Sequence, residues 1–208
     1  MAAWEWRRQE PDTAALIQPS KLLPELFRDI DEDRRLVVLH IGAAAPETLD
    51  FFARYRCRLH INDLFQKLPF SPIEGAEPEL SVAQQLSREL QIPADTQFDI
   101  CLFWDFFNYL DGTGISALLS VLGPHLHAGS MAHGFAAHTR KAAQVNQRYG
   151  ISDLDALSVR QRASPLPGYS PHAQNELKSM LHCFNLDRIV LLTDSRLELL
   201  LRFKTAKK

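Results

Sequence analysis

The sequence predicts an α/β fold, a mainly parallel sheet with helices on both faces that closes on an antiparallel hairpin. Two largely apolar runs, residues 36–41 and 98–104, have the character of strands covered on both sides. Helical periodicity separates the strand runs, and such alternation builds parallel layers. The last two β-rich runs, 188–193 and 196–204, are joined only by Asp194-Ser195. So short a link cannot make a parallel crossover, so the pair is expected as a hairpin. At 208 residues and 46% hydrophobic content, the chain can bury one sizeable core. The expected division is an N-terminal arm and helix over 1–35, then a single domain over 36–208, with 136–169 as an insertion or acceptor-side segment.

Residues 1–19 are expected to form an irregular arm, with Trp4 and Trp6 anchoring it to its own domain. Ser20 is placed to cap a short helix carrying Leu22, Leu23, Leu26, Phe27 and Ile30, with Pro24 in its first turn. A solvated run, Asp31-Glu32-Asp33-Arg34-Arg35, leads into the first buried strand. The small-residue turn Gly42-Ala43-Ala44-Ala45 follows, and Pro46 suits the first position of a helix. Leu49, Phe52 and Ala53 give that helix its expected apolar face. Residues 58–62 form the next strand and end at Asp63. Pro69, Pro72, Gly75 and Pro78 mark a loop, after which Leu80, Val82, Ala83, Leu86 and Leu90 predict a helix.

Strand 98–104 runs into Asp105, with Asn108 and Tyr109 close behind. Ile115, Leu118, Leu119 and Leu122 fall on one helical face, and Gly123-Pro124 ends that helix. A short strand near 130–135 is expected, then a helix around 139–149. A turn follows at Pro165-Leu166-Pro167-Gly168, and a helix starts at Ser170-Pro171. Leu177, Met180, Leu181 and Phe184 supply the buried stripe of this last helix.

Composition excludes several classes. A net charge of −2 and a pI near 6.4 give no global field for nucleic acid or anionic membrane. No apolar run reaches the ~18 residues that a spanning helix needs. The first residues hold no apolar core of signal-peptide length. Cys57, Cys101 and Cys183 are widely spaced and fit reduced thiols in a cytoplasmic protein better than a disulfide frame or a zinc motif. His125, His127, His133 and His138 cluster without accompanying carboxylate or cysteine spacing, which argues against a metal site. Arg140, Lys141, Arg148, Arg160 and Arg162, with Tyr149 and Tyr169, make either a solvated basic face or a surface for an acidic acceptor.

Gly42 stands 21 positions before Asp63. That spacing suits a βαβ unit in which backbone approaches a nucleoside at the turn and the carboxylate accepts from its ribose. The turn alone also serves as a tight strand-to-helix link with no ligand. A pyrophosphate uses free N–H groups and the positive dipole end of a helix start. Pro46 removes one such donor and Glu47 adds a carboxylate, so a phosphate-free, cationic nucleoside is favoured over dinucleotides.

The element order, and in particular FDICLFWDFFNYLDGTGISALLSVLGPHLHAGS, resembles the class I S-adenosylmethionine-dependent methyltransferases, whose sheet ends with one reversed strand. The resemblance runs from about Leu36 to Phe203. It implies a Rossmann-like methyltransferase fold with S-adenosylmethionine as cofactor. Gly42, Ala43 and Ala44 would lie against its methionine and ribose portions, Asp63 on the ribose hydroxyls and Leu64 beside the adenine. Trp104 and Asp105 would face the amino acid moiety and the transferred methyl, with Asp105 and Asn108 as catalytic candidates. The chain departs from the family pattern at His40, where an acidic residue is usual, and at Ala44 and Pro46, where glycines are usual. The second helix and third strand have no counterpart in 65–97. Two functions follow: a methyltransferase acting on a small-molecule or protein acceptor, or a methyltransferase-like scaffold without catalysis that serves as a binding or regulatory protein.

Overall fold

The computed structural model describes residues 14–28, 30, 33–71 and 80–204. In chain order the elements are β1 (Leu16–Pro19), α1 (Leu23–Phe27), β2 (Leu36–Ile41), α2 (Pro46–Phe52) and β3 (Cys57–Asn62). After a short 3-10 turn come α3 (Val82–Leu90), β4 (Phe98–Trp104), a second 3-10 turn (Phe106–Tyr109), α4 (Gly112–Leu122) and β5 (Leu126–Ala137). The chain continues through β6 (Gln147–Asp153), β7 (Ala156–Gln161), α5 (Gln174–Met180), β8 (Phe184–Leu191) and β9 (Arg196–Phe203).

The main sheet has six strands in the order β3-β2-β4-β5-β9-β8. The first four run parallel, and β9 lies antiparallel between β5 and β8. Burial follows from this. Every residue of β4 is buried, as a central strand with both faces covered requires. Leu39, Ile41, Cys101 and Phe103 point into one core with α3, α4 and α5. Val38, Ile100, Leu102 and Trp104 point into the other, with α1 and α2. Helices therefore cover both faces. A separate antiparallel sheet, β1-β7-β6, adds Tyr149, Ile151, Leu157 and Val159 to the second core.

Four expectations from sequence are corrected. Residues 16–19 of the supposed arm form β1, because their backbone pairs with β7. Around 139–149 there is a turn and then β6, whose apolar residues alternate rather than recur at helical spacing. α5 begins at Gln174, not at Ser170-Pro171, since the Ser170 N–H is tied to the Asn108 carbonyl. On α2 it is Thr48, Phe51 and Phe52 that are buried, and Leu49 is exposed. Between β3 and β4 the described residues add no strand to the main sheet, so β3 lies at its edge. Trp4, Trp6, Asp31, Glu32, Pro72, Gly75 and Pro78 lie outside the described residues.

β4 ends on Trp104 at φ +51°, a backbone region that bulky side chains rarely occupy. Gly134 of β5 makes room for it: a Cβ there would sit 2.8 Å from the Trp104 carbonyl oxygen. Gly134→Ala is expected to lower stability by about 1–3 kcal/mol in urea unfolding. An unchanged midpoint would contradict this close approach.

Candidate functional site

The C-terminal ends of β2, β3 and β4 lie side by side, where ligands of open α/β sheets bind. β2 turns outward at Gly42, whose φ of +126° only glycine adopts easily. Ala45 then precedes α2, with Pro46 at its first position as expected. Asp63 follows β3, and Asp105 follows β4.

Asp63 and Asp105 each present an unsatisfied oxygen. Asp63 Oδ2 accepts from Gln66 Nε2 at 2.8 Å, whereas its Oδ1 is buried with no hydrogen-bond partner. Asp105 is 4% exposed, and its Oδ1 is likewise unpartnered. Burial pushes the Asp105 carboxyl up to about 7, against the opposing pull of Arg162, Arg196 and the Tyr109 hydroxyl. The same Arg162 guanidinium lies within the field of both carboxylates. Native structures rarely leave buried carboxylate oxygens unpaired, because each forfeits its hydration.

His40 stands where the resemblance implies an acidic residue. It is fully buried, and its Nε2 accepts from Trp104 Nε1 at 3.3 Å. Burial pulls its pKa down to about 4, so the ring is neutral at physiological pH.

The space over Gly42 is occupied by this chain's own side chains. The buried Phe65 ring lies 3.6 Å from where a Cβ on Gly42 would be. Phe106 and Tyr109 pack edge-on against it at 5.1 and 5.7 Å. Arg162 closes the stack, its guanidinium 4.6 Å from the Phe65 ring centre. Two open hollows, of about 420 and 330 Å³, lie elsewhere, between α3 and α4 and beside the outer face of α2.

The sequence-derived candidates thus fall into two groups. Gly42, Asp63 and Asp105 follow the neighbouring ends of β2, β3 and β4, with Ala43 half-buried and Ala44 exposed. Leu64 and Trp104 are core residues, the indole stacked on Tyr149 at 5.8 Å. Asn108 is engaged with β5: its Oδ1 accepts from the Ala137 N–H and its Nδ2 donates to the Phe135 carbonyl. Phe65, Tyr109 and Arg162 complete the site, Arg162 held just beyond β7 by its N–H on the Asn146 carbonyl and its Nε on the Gln147 carbonyl. Among the clustered histidines, His125 contacts the Thr96 carbonyl, His127 contacts Asp99 and His133 contacts Glu198.

A cationic nucleoside carrying an amino acid needs acceptors for ribose hydroxyls and for an ammonium group. The two unpartnered carboxylate oxygens fit that need. Phe65, with Arg162 over its ring, lies against Gly42.

The sequence matches no protein-family model and no curated protein. Solved structures do match. A candidate type 11 methyltransferase from Sulfolobus solfataricus is 12% identical over 89% of this chain and 92% of its own, at a TM-score of 0.50. A Burkholderia thailandensis 1,6-didemethyltoxoflavin-N1-methyltransferase, solved with S-adenosylhomocysteine, is 14% identical over 95% and 99%, at 0.43. The pyocyanin biosynthetic protein PhzM is 15% identical over 88% of this chain, at 0.46; this chain spans about half its length, 54%. With the strand order above, the fold is that of the class I S-adenosylmethionine-dependent methyltransferases.

Proposed function

We propose that this protein binds S-adenosylmethionine at the ends of β2, β3 and β4 and methylates a small-molecule or protein acceptor. The observation that carries the reading is the pair of buried, unpartnered oxygens on Asp63 and Asp105, whose carboxylates both act on the Arg162 guanidinium. Asp63 would hold the ribose hydroxyls, and Asp105 the amino acid end or a proton of the acceptor. When bound, the cofactor supplies an electrophilic methyl group. Transfer of that methyl is in-line and needs mainly proximity and orientation. An Asp105 carboxyl titrating near 7 can take a proton from an acceptor that must lose one. No described helix is long and apolar enough to cross a membrane, and the described cysteines are free thiols. A cytoplasmic location belongs to the same proposal.

A second reading, a non-catalytic scaffold of the same fold, is favoured by Phe65 and Arg162 filling the space over Gly42. Calorimetry with S-adenosylmethionine and S-adenosylhomocysteine separates the two. Saturable micromolar binding, weakened about tenfold or more by Asp63→Ala through loss of a charged acceptor, is the expected result. No heat at millimolar ligand would leave only the scaffold.

A further inference from the structure

Of the basic residues clustered over 140–162, Arg140 holds Glu176 and Arg160 holds Glu47. Arg196 is likewise engaged, its terminal nitrogens donating to Gln147, Tyr149, Gln18 and Asp194. Arg162 is bound differently. Its Nε donates to the Gln147 carbonyl at 3.2 Å, and its guanidinium carbon lies over the Phe65 ring. Neither contact uses the two terminal nitrogens, and nothing among the described residues hydrogen-bonds them. The Arg148 side chain has no hydrogen-bonded partner among the described residues either, and its charge acts on Arg162. Both side chains are half-buried rather than freely solvated. The β6–β7 hairpin puts them on one face, since Arg148 lies opposite Arg160 and Arg162 is two positions on. At Gly150 the same face meets Ala45 and Thr48, beside the turn that follows β2. A guanidinium pinned at Nε and stacked on a ring, with its terminal N–H groups unpaired, is preorganised for a planar anion with two oxygens.

We propose that Arg162, with Arg148 beside it, binds the carboxylate of a small organic acid, and that this acid is the methyl acceptor. The rings of Phe65, Tyr109 and Tyr169 pack edge-on in series from Arg162. A recessed fork beside those rings suits a flat acid better than the surface of a folded protein. A phosphate dianion is the poorer fit, because Asp63 and Asp105 lie in the field of the same guanidinium and repel a second negative charge. The inference rests on the methyl-transfer reading for calling the acid an acceptor, but not for its binding.

Benzoate and its neutral isostere benzamide, titrated into the full chain and followed by NMR, decide it. Benzoate is expected to bind about tenfold or more tighter than benzamide, the worth of a charge-assisted bidentate pair. Arg162→Gln is expected to abolish that preference. Arg148→Gln, whose side chain holds nothing among the described residues, is expected to reduce it about threefold should Arg162→Gln fold poorly. Saturating S-adenosylhomocysteine should leave benzoate bound. Absent or equal binding of the two probes, or a preference that survives both substitutions, overturns the proposal. Displacement of benzoate by S-adenosylhomocysteine also overturns it, because the fork then holds the donor's own carboxylate. Benzoate preference with no S-adenosylhomocysteine binding keeps the acid site and ends the methyl-donor reading. S-adenosylhomocysteine binding with no benzoate preference does the reverse.

Discussion

Asp105→Asn is expected to stabilise the protein at pH 8.5 by about 2–4 kcal/mol, the worth of a carboxyl shifted by about three pH units. The carboxyl is held near 7 in the fold, mainly by burial, and ordinarily titrates near 3.8. The folded state binds this proton more tightly, so its contribution is complete below pH 4 and is lost as pH rises to 7. His40 has the opposite sign. Burial lowers it from 6.5 to about 4, so stability rises as pH climbs through that window. In the natural chain the two slopes oppose each other between pH 4 and 6.5. Urea unfolding of Asp105→Asn over that range should therefore expose the rising slope of His40, joined by His60 and His127, which burial also lowers. A variant that is less stable at pH 8.5, or whose slope matches the natural chain, would refute this assignment.

Glu198→Ala should remove about 3–5 kcal/mol, because it orphans several buried groups at once. Glu198 is 1% exposed in β9 and accepts from His133 Nε2 at 2.9 Å and from the Ser20 hydroxyl. It also accepts from the main-chain N–H groups of Lys21 and Leu22 at 3.2 and 3.4 Å. Ser20 Oγ in turn accepts from the Leu23 N–H, so one carboxylate fastens the start of α1 to the main sheet. Burial alone would raise its pKa, but the His133 and Ser20 hydrogen bonds hold it below the ordinary glutamate value. Its stabilising share is thus present at neutral pH and lost as the solution is acidified through that lowered value. Glu198→Gln, which keeps an acceptor, should lose less than Glu198→Ala. A loss under 1 kcal/mol for Glu198→Ala would show that the network does not anchor the segment.

What sequence reveals here tracks how locally each element is specified. β2 and β4 match their apolar runs residue for residue, since a doubly covered strand needs no partner to declare itself. α4 buries Ile115, Leu118, Leu119 and Leu122 as the spacing predicts. The β8–β9 hairpin follows from its short link. β6 and β7 escape detection because Gln147-Arg148-Tyr149-Gly150-Ile151 alternates apolar with polar or tiny residues over only a few positions. Their pairing aligns Tyr149 with Val159 and Ile151 with Leu157, a juxtaposition that no local pattern encodes. The site divides the same way. Gly42, Asp63 and Asp105 are legible because they end strands, whereas Phe65 and Arg162 reach them only through a 3-10 turn and a distant hairpin. Arg160 stands out in sequence only as one more basic residue, and its partner Glu47 is 113 positions away.

The strand order sets a timetable for synthesis on the ribosome. β9 is made after every other described strand, yet it sits inside the sheet between β5 and β8. Until residues 196–203 have left the exit tunnel, β5 has one bare flank and β8 has no partner. A nascent chain stalled earlier carries open, apolar hydrogen-bonding borders that chaperones or neighbouring chains can capture.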